Sequence, residues 1–173
     1  MSDFLYIVWL FPIIFMFHEF EEIIFFKSWI EKNKDDLSER YPKLAKRLLS
    51  RIEGLSVPAF TVAVAEEFLL LSIVTVLAVI FNWYLLWLAV FMGYFIHLLV
   101  HMVQSCVFRR YIPGIYTTML SLIYCIYYIC FIFDNNLFSI AQIIIWTIIG
   151  CAIVFVNLIF AHKLAELLDK QIK

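Results

Sequence analysis

The chain has no lysine or arginine before Lys27, no CxxC spacing among its four cysteines, no internal repeat and no low-complexity tract. Without a positive n-region, the first apolar run, about Phe4 to Phe26, is a poor signal peptide. It is also long enough to cross about 30 Å of hydrocarbon. Without paired spacing or a secreted context, Cys106, Cys125, Cys130 and Cys151 read as small buried hydrophobes. Charge is scarce as well: 16% of the 173 residues are charged and 65% are hydrophobic. A soluble domain is about 45–50% apolar, so this composition predicts an integral, multi-pass protein of the cell membrane. The mean hydropathy of +0.95 agrees. The length suits one compact membrane domain and leaves no room for a separate soluble one. Nothing points to a nucleic-acid partner.

Five apolar runs, at about 4–26, 57–81, 83–108, 115–133 and 137–161, are each long enough to cross a bilayer as a helix. The expected fold class is therefore all-α: a polytopic membrane protein built as a five-transmembrane-helix bundle. Asn82, Pro113-Gly114 and Asp134-Asn135-Asn136 supply turns so short that successive helices must run antiparallel. With five spans, all 13 Lys and Arg fall on one side, in the loop after the first span, at Arg109 and Arg110, or in the tail. The positive-inside rule then places the N-terminus outside and the C-terminus in the cytoplasm. Trp83, Tyr84 and Trp87 fit an aromatic belt at the outer edge. Residues 42–53 read as an amphipathic helix, with Pro42 in its first turn and Gly54 at its end. Such a helix either rests on anionic lipid or packs as a solvated connector.

What the apolar runs do contain is a set of acids and imidazoles. His18, Glu19, Glu21 and Glu22 lie in the first, Glu66 and Glu67 in the second, and His97 and His101 in the third. Each charge at bilayer depth costs at least about 2.5–3.5 kcal/mol, so such groups normally face a protein interior and carry function. At 1.5 Å rise per residue, His18, Glu66, Glu67 and His101 lie roughly 12–15 Å inside the same edge, Glu22 roughly 7 Å and His97 roughly 18 Å. Three helices thus bring polar groups to one layer. His18, Glu21 and Glu22 are spaced i, i+3, i+4 and share a face, as do His97 and His101 at i, i+4. Glu19 sits about 100° round the helix from His18.

Neutral imidazole with carboxylate suits Zn, Fe or Mn. His18, His97, His101, Glu22 and Glu66 are the expected ligands, and Glu21 or Glu67 the expected general base. Four carboxylates in low dielectric favour one or two divalent ions, two rather than one. The roles of Glu19, Thr117, Asn157 and His162 stay open; the last two lie near the same layer. Thr117 and Thr118 open the fourth helix, whose N-terminus can receive an anion. Tyr124, Tyr127 and Tyr128 read as packing.

The runs His18-Glu19-Phe20-Glu21-Glu22, Ala65-Glu66-Glu67, His97-Leu98-Leu99-Val100-His101 and Pro113-Gly114-Ile115-Tyr116-Thr117 resemble the signature (HXXEE), paired acids, HXXXH and PGxxT of the HXXEE-motif family of bacterial membrane proteins. The resemblance implies a polytopic membrane protein without an established function, suspected of being an enzyme. The residues themselves point to a metal-dependent hydrolase acting on a lipid-like or membrane-borne substrate, with membrane lipid as its surroundings. The alternatives are a di-iron-type membrane oxidoreductase, although Glu-x-x-His spacing is absent, and a proton or divalent-cation transporter.

Overall fold

The computed structural model describes residues 2–43, 45, 46, 49 and 55–172. It is all-α, with five long helices: α1 (Ser2–Arg40), α2 (Val57–Phe81), α3 (Tyr84–Phe108), α4 (Ile115–Asp134) and α5 (Ile140–Ile172). No strand occurs among the described residues. Four of the helices, α2 to α5, are long and apolar enough to cross a membrane. The fifth expected span, 4–26, lies within α1, and that stretch carries His18 and three acids.

The ends of these helices follow from local chemistry. Ser56 caps α2 by accepting the N–H of Ala59 on its hydroxyl, and Pro58 fills the first turn. Asn82, at φ 58°, stops that helix in the left-handed conformation. Ser139 and Gln142 cap α5 reciprocally, each side chain receiving the other's backbone N–H. The stretch 109–114 turns through Arg109, at φ 50°, and Gly114, at φ 86°.

The buried stripe of α1 runs Ile7, Val8, Phe11, Phe15, His18, Glu19 and Phe26, close to a 3.6-residue period. Phe11 packs on Trp87, Phe91 and Tyr94 of α3 at ring separations of 5.4, 5.7 and 5.5 Å. Helices α3 and α5 approach closely because Gly93 and Gly150 face each other; a Cβ on Gly150 would overlap the carbonyl oxygen of Ala89. Small residues at such crossings are the usual device for helices in lipid, where apolar burial alone drives little association. The outer surface is apolar, including Leu120, Ile148 and Phe155.

Several expectations change. Helix α1 does not end near Phe26 but runs on to Arg40, and α5 continues to Ile172. The extension of α1 docks on the α3–α4 turn. Trp29 Nε1 donates to the carbonyl of Tyr111 at 2.6 Å, Tyr41 donates to that of Val107 at 3.0 Å, and Arg110 grips Asn33 and Asp36, each at 2.6 Å. Of the amphipathic helix expected over 42–53, residues 42, 43, 45, 46 and 49 are helical, and Ala45 and Leu49 pack on Phe108 and Ile112. Its other residues lie outside those described. Trp87 is not part of a surface belt: it is fully buried against Phe11 and Tyr128, whereas Trp83 is exposed. Only Cys125 is fully buried. Cys106 and Cys130 are exposed on apolar helices, and Cys151 is intermediate.

Candidate metal centre

Helix α1 carries His18 and Glu22 one turn apart, and α3 carries His97 and His101 with the same spacing. Their ligand atoms converge. His18 Nε2 lies 3.4 Å from His97 Nε2, which lies 3.0 Å from His101 Nε2. Glu22 Oε1 is 2.8 Å from His101 Nε2 and 3.6 Å from His18 Nε2. All four atoms fall within 4.8 Å of one another. With metal–nitrogen bonds of about 2.0–2.1 Å, a tetrahedral shell has ligand-to-ligand edges of about 3.3 Å. These four separations, from 2.8 to 3.6 Å, bracket that value.

The polar bookkeeping of the cluster also fits a cation. Three imidazole nitrogens facing one another cannot all donate, and bare lone pairs repel. Glu22 Oε1 is buried and accepts no well-aligned hydrogen bond. A buried carboxylate oxygen left in that state is costly unless a positive charge completes it. The donor set, three nitrogens and one oxygen, can hold a metal ion of the zinc or iron kind.

Glu21 turns a different way. Its Oε2 receives the Thr117 N–H at 2.8 Å and the Thr117 hydroxyl at 2.7 Å, and its Oε1 receives the Tyr111 hydroxyl at 2.9 Å and the Tyr116 N–H at 3.4 Å. The anion at the start of α4 is thus supplied by the protein itself, where the helix dipole favours it. Burial, and then donation to Glu21, hold the Tyr111 phenol above its ordinary pKa. The same threonine hydroxyl lies 3.3 Å from His18 Nδ1. Gly114 backs directly onto the centre: a Cβ there would meet Glu22 Oε1 at 3.0 Å and His18 Cε1 at 3.1 Å. The segment 113–117 therefore supports the ligands of α1 from below.

The structure brings together four of the five expected ligands. Glu66 is not among them; its Oε2 accepts from Asn157 Nδ2 at 3.2 Å. Glu67, its neighbour, lines a cavity of about 580 Å³ together with Glu19, Glu22, His97, His101 and His162. Phe26, Phe60, Val103 and Phe108 make its walls largely apolar. A smaller apolar slot of about 60 Å³ adjoins it at Glu19, Glu67 and His97. Glu19, to which the sequence assigned no role, is buried. Its signal was available: it lies four residues after Phe15 and seven before Phe26, on the buried stripe. Among the described residues the four-residue cluster is the one group with metal-ligand geometry.

Fold and site together define a class: a membrane-type helical bundle with a buried His/Glu cluster able to hold a metal ion. A family model described as "Protein of unknown function with HXXEE motif" matches residues 9–129, more than half of the chain, and the chain belongs to that family. The match includes all four cluster residues together with Gly114 and Thr117. No curated protein and no solved structure matches.

Proposed function

We propose that the protein is a metal-dependent hydrolase of the cell membrane, acting on a lipid-like or membrane-borne substrate. The observation that carries this reading is the convergence of His18, His97, His101 and Glu22 beside a large, mostly apolar cavity that holds two more carboxylates. A divalent ion there would acidify water and polarise a scissile group. The apolar walls suit the chain of an amphiphile. Glu67 and Glu19 flank His97 at the junction of cavity and slot. Glu67 is the group assigned to take a proton from water and return it to the leaving group. Glu21, also expected as a base, has both oxygens engaged by donors and is assigned to anchoring instead.

Catalysis is favoured over transport because Phe11, Trp87, Phe91 and Tyr128 fill the bundle on the far side of the cluster. That packing is mostly aromatic and without charged groups, which disfavours passage of an ion. The test is elemental analysis of protein purified in detergent, followed by turnover of a panel of ester- and phosphate-headed amphiphiles with and without chelator. About one Zn, Fe or Mn per chain, and chelator-sensitive turnover, are expected. A metal-free wild type sinks the metal centre; bound metal without turnover of any amphiphile sinks the hydrolase.

A further inference from the structure

We infer that Thr117, backed by Glu21, is a positioning residue that fixes the ring of His18 with Nε2 bare toward the metal. The inference rests on the metal centre proposed above but not on hydrolysis. Thr117 has a single hydroxyl proton, and its shortest contact is Glu21 Oε2, at 2.7 Å. Ionised Glu21 can only accept, so that proton points to it. The hydroxyl oxygen is then free to accept, and His18 Nδ1 lies 3.3 Å away. With its proton on Nδ1, His18 presents a lone pair at Nε2, the atom that faces His97 and Glu22. The chain Glu21–Thr117–His18 thereby selects one tautomer, and the negative charge behind it raises the basicity of the ligating nitrogen.

Two details single out this arrangement. Glu21 is itself held in place by the backbone N–H groups of Tyr116 and Thr117 and by the Tyr111 hydroxyl. The support is thus rigid before a metal arrives. His101, in contrast, has a buried Nδ1 with no hydrogen-bond partner. Of the three imidazoles, His18 thus has its outer nitrogen anchored and His101 does not, so the anchor at Thr117 bears directly on how the set is oriented.

The experiment is a Zn²⁺ competition against a chromophoric chelator, using metal-stripped full-length protein in detergent. Thr117→Val keeps the shape but removes both the donor and the acceptor. It is expected to weaken Zn²⁺ binding about 10–100-fold, the usual cost of removing a partner that orients a metal ligand. Thr117→Ser restores the hydroxyl and is expected to bind close to wild type. A merely structural threonine would lower the thermal midpoint of stripped and loaded protein equally. A positioning threonine reduces the extra stability that Zn²⁺ confers. Should Thr117→Val not yield folded protein, ¹⁵N-histidine spectra of loaded wild type decide: a protonated Nδ1 and a ligated Nε2 on His18 support the inference. Nδ1 ligation, or wild-type affinity in Thr117→Val, overturns it alone. A wild type that binds no Zn²⁺ overturns the metal centre with it.

Discussion

Glu66 and Glu67 are adjacent in sequence and differ by about 100° around α2; that rotation decides which of them meets the site. Glu67 lines the cavity, while Glu66 reaches Asn157 of α5. Glu66→Gln is therefore expected to leave bound metal at the wild-type level. Glu22→Gln removes the one anionic ligand and should lower the affinity at least about 10-fold, as should His101→Ala. Elemental analysis of the three variants checks this, and equal loss in Glu66→Gln would place a carboxylate of α2 among the ligands. Glu67→Gln is expected to retain metal yet lose about 10²–10⁴-fold in turnover, the range for a positioned proton carrier. Full activity in that variant would remove Glu67 from the chemistry. Much of the cluster was legible from spacing alone, since i, i+4 pairs place His18 with Glu22 and His97 with His101 on single faces. The divergence of Glu21 from Glu22 was not. A helix wheel gives relative angle, and only the position of α4 shows that Glu21 meets a helix N-terminus while Glu22 meets histidines.

At the level of the elements, turn chemistry was readable and helix length was not. Asn82, Pro113-Gly114 and Asn135-Asn136 mark breaks that the chain takes. The extension of α1 beyond Phe26 is rich in Lys, Asp and Glu, so hydropathy assigns it to a loop; Ile30 and Leu37 nonetheless bury themselves on the α3–α4 turn. Asp36 and Arg110 hold that junction, but both are partly exposed, so Asp36→Asn should cost no more than about 1 kcal/mol. The close crossing of α3 and α5 is a stronger constraint. Gly150→Ala forces a methyl group into the Ala89 carbonyl and requires the helices to part. Overpacking of that kind costs about 1–3 kcal/mol. A lower thermal midpoint in detergent is the expected result, and an unchanged one would show that α3 and α5 are not tightly apposed. Gly114→Ala combines a left-handed φ with contact to Glu22 and His18, so it should lose metal affinity as well as stability.

For the whole molecule, the long helices carry the argument about sidedness. Helix α1 has 39 residues, about 58 Å of helix against about 30 Å of hydrocarbon, so as a span it would extend well beyond a bilayer. Antiparallel succession makes α1, α3 and α5 run the same way, so the ends of α1 and α5 emerge on one face. Asp169 of α5 accepts the N–H of Ser56 at the start of α2, and Ala161 and Ala165 pack with Leu55 and Ala59, which ties those ends together. The turns at Asn82 and Asn135 then lie on the opposite face. From the clustering of Lys and Arg on the first face we propose, by the positive-inside rule, that this face is the cytoplasmic one. In a variant lacking the four native cysteines, Asn135→Cys is expected to react with a membrane-impermeant maleimide in right-side-out vesicles, and Ser38→Cys only in inverted ones. The reverse pattern would leave the bundle intact and invert it in the membrane, moving the metal cluster to the outer half. Labelling of both positions from one side would mean that the chain between them crosses the bilayer an even number of times, so that α2, α3 and α4 would not all be spans.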